Sequence, residues 1–248
     1  MNNLPIEVQQ LFEYLKTGTS AFHVIEHTKK VLTEAGFSEL KLKDTWNLEK
    51  NGRYFYIPFD TTLYAFTIGA DCDLSNGIHI GGAHTDFPGI KIKPNPEIFS
   101  HGHMQLNTEV YGGPILNTFF DRPLSLSGKV VTRGERYDKP VSHLLDFKAP
   151  VLYLPNLAIH MNREVNDGYK YSIQKDMLPL FGNEDAKGTF MDIVAAAAGV
   201  EKDAILGNDL FLYNRMKGRI WGANNEFFSI GRIDDLQCAF SSLEGFLA

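Results

Sequence analysis

A histidine and an aspartate two positions apart, His84 and Asp86, close the run Gly81-Gly-Ala-His-Thr-Asp86. An imidazole with one ring nitrogen held by a carboxylate presents the other nitrogen to a metal ion in a fixed direction. The competing reading is structural: a core or capping histidine, with Asp86 in a turn ahead of Pro88. A second candidate is the acidic pair in Arg232-Ile-Asp234-Asp235. Adjacent acids ahead of an amphipathic helix are most simply caps, accepting hydrogen bonds from unpaired amides and favoured by the helix dipole. Capping needs one acid and leaves Arg232 without a task. The chemical reading makes Asp234 a carboxylate shared by two divalent cations, which repel at about 3.5–4 Å unless an anion lies between them. On these residues alone the cap is the simpler account.

The remaining histidines are less pointed. His160 closes an apolar run in Asn156-Leu-Ala-Ile-His160 that reads as another strand end, where a histidine is more often structural. His101-Gly-His103 has chelating spacing but lies in a polar loop, which favours a solvated surface. His23, His27, His79 and His143 have no evident partners. Asn107-Thr-Glu109-Val-Tyr-Gly-Gly is no phosphate loop, and neither GxGxxG nor GxxxxGK[ST] occurs. A GxSxG elbow is also missing, which disfavours a serine hydrolase.

These residues must be positioned by local elements. The stripe Val8, Leu11, Phe12, Leu15 predicts a helix over 6–16. Ala21, Val24, Ile25, Thr28, Val31, Leu32 and Ala35 predict a second, capped by Thr19 or Ser20 and stopped at Gly36. The period then changes. Tyr54–Ile57, Leu63–Ile68 and Ile78–Ala83 read as strands, the last buried on both faces like the centre of an α/β sheet. That places His84 at the carboxyl end of a strand, where ligands of open α/β sheets collect. From Lys91 to about Gly218 the texture is β-rich and punctuated by Pro and Gly, with strands expected at Gly128–Thr132, Val151–Leu154 and Leu210–Tyr213. Phe190–Ala198 reads as a helix whose alanine run packs against a neighbour. A final helix carries Leu236, Phe240, Leu243 and Leu247 on one stripe, to be covered by the earlier helices or by further chain. The expected fold is α/β, a sheet domain over 1–90 and 219–248 interrupted by a β-rich domain over 91–218.

Composition narrows the partners. The 248 residues are 44% hydrophobic and 22% charged, ordinary for a globular protein. Net charge is −6 with no Lys/Arg cluster, so no nucleic acid is expected. The start, Met1-Asn-Asn-Leu-Pro, lacks a basic region and a long apolar run, so no signal peptide is expected. No stretch approaches the roughly 20 apolar residues of a membrane span. The only cysteines are Cys72 and Cys238, which excludes a disulfide framework or thiolate zinc site and points to the cytoplasm.

Long blocks carry a resemblance. Ala83-His-Thr-Asp-Phe-Pro-Gly-Ile-Lys-Ile-Lys-Pro-Asn-Pro96 resembles the histidine-bearing signature of M18 metallo-aminopeptidases. Glu109 to Gly128, Asn156 to Asn166, Gln174 to Pro179 and Phe228-Ser-Ile-Gly-Arg-Ile-Asp-Asp-Leu236 resemble later blocks in the same order. The N-terminal helices and the Trp46 to Ile57 segment match the family's opening. The resemblance implies that His84, Asp234 and His160 are metal or active-site residues, that Asp86 orients His84 as a catalytic residue, and that Asp234 bridges two zinc ions. It further implies hydrolysis of peptides with a free N-terminus, an acidic first residue being the family's reputed preference and an apolar one that of some members. The inserted domain would drive a homo-oligomer, often a dodecamer. Asp235 stands where the family more often has Asn, and Phe87 replaces a common Ser, which would make the site rim more apolar. The family's Glu-Glu pair, a further Asp and a last His have no counterpart here. The catalytic domain is therefore expected to lack its C-terminal part, to bind zinc weakly, to be inactive alone and to expose apolar area beside the last helix. The alternative is a non-catalytic truncated paralogue acting through the oligomerisation domain.

Overall fold

A computed structural model describes residues 4–248, so Met1, Asn2 and Asn3 of the expected leaderless start lie outside the described residues. The chain divides into two compact units, one running to Phe87 and resuming over Lys217–Ala248, the other covering Pro88–Met216.

The first unit opens with α1 (Ile6–Thr17) and α2 (Ala21–Glu34), whose buried residues Leu11, Leu15, Val24, Ile25, Thr28 and Leu32 follow the predicted stripes. Ser20 is the N-cap residue of α2, but its hydroxyl pairs with His23 Nδ1 at 2.8 Å instead of with a helix amide. Gly36 ends the helix with φ +84°, the left-handed region that glycine enters without Cβ strain. Strands β1 (Ser38–Leu40), β2 (Arg53–Phe59) and β3 (Thr62–Thr67) form a three-stranded sheet in that order, β1 parallel and β3 antiparallel to β2. The β2–β3 register slips between Tyr56 and Phe59, where Pro58 has no amide to donate.

The third predicted strand does not form. Residues 78–83 pair with nothing, and Ile78 and Ile80 are 73% and 87% exposed. A strand exists only through its ladder, and apolar residues of β propensity cannot supply the neighbours that would bury them.

The second unit is a barrel. Its strands are β4 (Gly89–Ser100), β5 (His103–Tyr111), β6 (Pro123–Thr132), β7 (Val141–Asp146), β8 (Leu152–Tyr153), β9 (Leu180–Asn183) and β10 (Ile205–Asn214), with α3 (Ile173–Asp176) and α4 (Phe190–Ala198) between them. The sheet order is β10-β4-β5-β9-β8-β6-β7, and β10 also pairs with β6, which closes the ring and leaves β7 on the flank of β6. Closure removes open edges, and the space inside is filled by Ile90, Leu106, Leu126, Val130 and Leu210. Pro94 and Pro96 sit where the β4–β5 register slips between Ile92 and Glu97. Gly128 allows β6 to approach β10. Its φ is +149°, and a Cβ there would lie 2.0 Å from the Asp209 carbonyl oxygen.

Helix α4 spans the predicted residues and ends at left-handed Gly199. Phe190, Val194 and Ala195 are buried, but Ala196 and Ala197 are exposed, so the alanine run does not pack as a whole. The carboxylate of Glu97 on β4 accepts the Gly188 and Phe190 amides at 2.7 and 2.9 Å, capping α4 from across the chain. The strand expected at Val151–Leu154 is β8, whereas the separate strand expected to end at His160 does not form, because residues 158–162 form a turn in which the Met161 amide donates to the Ala158 carbonyl at 2.8 Å.

The chain returns to the first unit through the hairpin β11 (Arg219–Trp221) and β12 (Phe227–Ser229), then α5 (Ile233–Leu247). Leu236, Phe240 and Leu243 join Leu11, Tyr14 and Leu15 in one core, the Tyr14 and Phe240 rings lying 5.6 Å apart. Each such burial contributes about 1.5–3 kcal/mol. The stripe of the last helix is thus covered by α1, the first of the two coverings that the sequence left open. Among the described residues no helix is long and apolar enough to cross a membrane.

His27, partly buried on α2 with its ring 5.4 Å from that of Tyr14, makes this core pH-sensitive. Burial pushes its pKa below the ordinary 6.5; Glu13 and Glu34 oppose the shift, and Lys30 adds to it. The unfolded chain therefore binds the proton more readily. The stability held by neutral His27 is complete above the ordinary value and is lost as pH falls through the lower folded one. Thermal unfolding from about pH 8 to about pH 5 should show a midpoint that falls on acidification, with a shallower slope in His27→Gln.

Candidate metal centre

His84 lies in the unpaired stretch that ends the N-terminal part of the first unit. Its Nδ1 is 3.1 Å from both the Asp86 carboxylate and the Asp86 carbonyl. With a proton on Nδ1, the imidazole donates to these oxygens and directs the Nε2 lone pair outward. Nε2 lies 3.4 Å from Asp234 Oδ1 and 3.6 Å from Asp235 Oδ2. The Thr85 hydroxyl donates to the Thr61 carbonyl at 2.9 Å, tying this stretch to the β2–β3 turn.

The acidic pair does not act as the simple cap that the residues alone suggest. Asp234 (φ −87°, ψ 107°) and Asp235 (φ −116°, ψ 20°) are non-helical, so regular α5 backbone begins only at Leu236. The peptide bond between them is cis. Asp235 Oδ2 accepts the His84 amide at 3.2 Å, and the same carboxylate takes the thiol hydrogen of Cys238. Those contacts leave the Asp235 side chain 19% exposed, against 80% for Asp234. One acid is anchored and the other is presented.

Arg232 has a task after all. It adopts a left-handed conformation (φ 67°), donates from Nη2 to the Leu15 carbonyl at 2.5 Å, and places its guanidinium 5.7 Å from the Phe87 ring centroid. The entry to α5 is thereby fixed to the end of α1. Phe87 itself belongs to the core at 9% exposure, so it is not the apolar rim expected from its replacement of serine.

The electrostatics favour a cation. Burial alone would lower the His84 pKa, but the charge of Asp235 and the hydrogen bonds and charge of Asp86 outweigh it and raise the value. The Cys238 hydrogen bond holds the Asp235 carboxyl below its usual range against a smaller opposing effect of burial, with help from the His84 amide and ring. Asp235 in turn pushes the Cys238 thiol up. Carboxylates crowding one imidazole stabilise positive charge there, whether a proton or a metal ion.

One donor atom each from His84, Asp234 and Asp235 falls within 4.8 Å of the others. A tetrahedral zinc with ligands at about 2.0–2.2 Å separates its donors by roughly 3.3–3.5 Å, close to the His84–Asp234 spacing, so this donor set fits zinc. The structure brings together His84, Asp86 and Asp234, and adds Asp235, whose only sequence signal was a second acid beyond what a cap needs. His160 is exposed in the second unit. His101 and His103 pair with Ser100 and Asn183 in place of chelating, and His143 with Thr132.

The sequence profile described as Aminopeptidase I zinc metalloprotease (M18) matches residues 14–248. The chain belongs to the M18 peptidase family. A probable M18 family aminopeptidase 2 of Clostridium acetobutylicum is 45% identical over 95% of this chain and 55% of its own length. The chain therefore spans about half the length of the curated relatives it matches. Among solved structures, Chaetomium thermophilum mApe1 superposes with a TM-score of 0.87 at 26% identity, over 96% of this chain and 57% of that one. The S. cerevisiae mApe1 dodecamer does so at 0.82 and 24%, over 100% and 56%. The α/β fold of this chain is that of M18 aminopeptidases.

Because Asp235 ties the His84 backbone to the start of α5, Asp235→Ala should weaken zinc binding by about 10–100-fold, as loss of an outer partner does. Cys238→Ser, which keeps a donor, should stay within a few-fold of the parent; calorimetric titration with zinc reads both.

Proposed function

We propose that this chain supplies one side of a zinc centre that hydrolyses the first peptide bond of substrates with a free amino terminus. The observation that supports it is the 3.4 Å approach of His84 Nε2 to Asp234 Oδ1, groups brought together from the two ends of the first unit. His84 and Asp234 would hold metal directly. Asp86 keeps the imidazole oriented through Nδ1, and Asp235 sets the His84 backbone. The exposed Asp234 carboxylate can offer its second oxygen to another cation, which supports a two-metal centre. Zinc bound there would lower the pKa of a coordinated water and polarise the scissile carbonyl.

The cluster offers one imidazole and two carboxylates, so on this reading a general base and further ligands come from the part of the family's length that the chain does not cover. The 248 residues alone are inactive and bind zinc weakly. His160 is a further active-site residue on this reading. The barrel is the oligomerising domain, a reading supported by the dodecamer among the solved relatives. The free, exposed thiols of Cys72 and Cys238 support a reducing cytoplasmic setting. An acidic first residue is the proposed preference.

The test compares release of p-nitroaniline from aspartyl, glutamyl and leucyl anilides by the chain and by a version extended with the relatives' remaining length. Zinc-dependent release is expected only from the extended form, with acidic substrates ahead, falling about 100-fold or more in His84→Ala. Chelator-sensitive turnover by the 248 residues, or an extended His84→Ala with undiminished turnover, contradicts the proposal.

A further inference from the structure

The loop that carries His160 is tied to the barrel at its two ends. Residues 154–172, between β8 and α3, form neither strand nor helix, and ordered loops of that length are commonly functional. The backbone hydrogen bonds of 158–167 run within the stretch: Met161 and Asn162 donate to Ala158, Val165 to Asn162 and Asp167 to Glu164. Leu157, Ile159, His160 and Met161 are all exposed. The start of the loop is held by Asp121, in the turn that enters β6. Its amide donates to the carbonyl of buried Leu154 at 2.8 Å. Its carboxylate accepts the Asn156 backbone amide on Oδ1 at 2.9 Å and the Asn156 side-chain amide on Oδ2 at 2.8 Å. The end of the loop is held by the preceding residue, Phe120, whose ring stacks on that of Tyr171 at 4.9 Å. Asp176 Oδ2 adds to this end by accepting the Ser172 amide at 2.6 Å and the Tyr169 hydroxyl at 3.1 Å.

An aspartate suits the position at the start. Its backbone is left-handed, φ 55°, which Asp enters more readily than most residues. Its two oxygens match two N–H donors of a single asparagine. Those donors hold the Asp121 carboxyl below the usual range, so it is ionised at neutral pH. The clamp joins residues 35 positions apart, Asp121 from the 109–128 block of the family resemblance and Asn156 at the head of the 156–166 block.

We infer that Asp121 is a positioning residue, its carboxylate fixing Asn156 and through it the place of His160 in the proposed hydrolysis. The inference rests on the reading of His160 as an active-site residue. A loop bonded chiefly to itself goes where its ends direct it, and a displacement of about 1 Å at a reacting group costs on the order of 100-fold in rate. Substitutions at exposed residues such as Asn156 move stability far less.

The experiment follows p-nitroaniline release by the extended form described above. Asn156→Asp sets a second carboxylate against that of Asp121 and should lower kcat/KM by ~10-fold or more, with the unfolding midpoint moved by no more than about 2 °C. Combining it with Asp121→Asn again faces a donor with an acceptor, and should recover kcat/KM to within ~3-fold of the parent. Adding His160→Ala to Asn156→Asp should cost nothing beyond His160→Ala alone, because the displaced group is already gone. Losses that multiply, or an Asn156→Asp enzyme as active as the parent, overturn the positioning role. An exchanged pair no better than Asn156→Asp overturns the Asp121–Asn156 contact as its cause. Undiminished zinc-dependent turnover in His160→Ala overturns the reading of His160 on which the inference rests. That failure is separable, because amide hydrogen exchange over 154–168 of the 248-residue chain reads the clamp without turnover: faster in Asn156→Asp and restored in the exchanged pair.

Discussion

One imidazole surrounded by carboxylates is the constraint on which the first unit depends. His84 faces Asp86 on one ring nitrogen and Asp234 and Asp235 on the other, with the nearest contacts between 3.1 and 3.6 Å. Negative charges gathered this closely are costly unless a cation lies among them. A proton on His84 meets part of that demand, and a divalent ion meets more of it. The geometry distinguishes the acids. Asp86 hydrogen-bonds His84 Nδ1, Asp235 is tied to the His84 amide and the Cys238 thiol, and the Asp234 carboxylate stays exposed. Exposure of 80% at Asp234 is costly for neither folding nor solvation, and it is what a ligand needs to reach an incoming ion.

The two sides of this cluster come from distant parts of the sequence, so the surrounding core has to hold them in register. α5 does this by burying Leu236, Phe240 and Leu243 against α1. Arg232 adds a polar tie, reaching the Leu15 carbonyl while its guanidinium faces Phe87, one residue beyond Asp86. The same core therefore anchors both halves of the proposed metal centre. The barrel is a separate construction, closed by the β6–β10 pairing and dependent on Gly128 at the crossing.

The helices were legible because burial selects a 3.6-residue stripe that the order of apolar residues reveals, as in α1 and α2. That His84, Asp86 and Asp234 lie close together could be anticipated from residue type, spacing and family resemblance, whereas the contact of Asp235 with the His84 amide could not. Whether the second of two acids caps a helix or reaches across to a distant amide depends on backbone geometry that no local pattern encodes. Phe87 was misplaced for a similar reason, since a residue beside a site can point into the core as readily as toward the rim. Ile78–Ala83 shows the limit most clearly. Its pattern reports the surroundings for which the residues are suited, and strand structure depends on neighbours that lie elsewhere. His160 was read as closing a strand because its run is apolar, but Leu157 and Ile159 are exposed on a turn-bearing loop.

The account stands or falls on His84 as a metal ligand. X-ray absorption at the zinc edge, on the chain with saturating zinc, should show imidazole nitrogen and carboxylate oxygen at about 2.0–2.2 Å, and the imidazole scattering should vanish in His84→Ala. A zinc spectrum unchanged by that substitution would place the ion elsewhere and remove the centre built here.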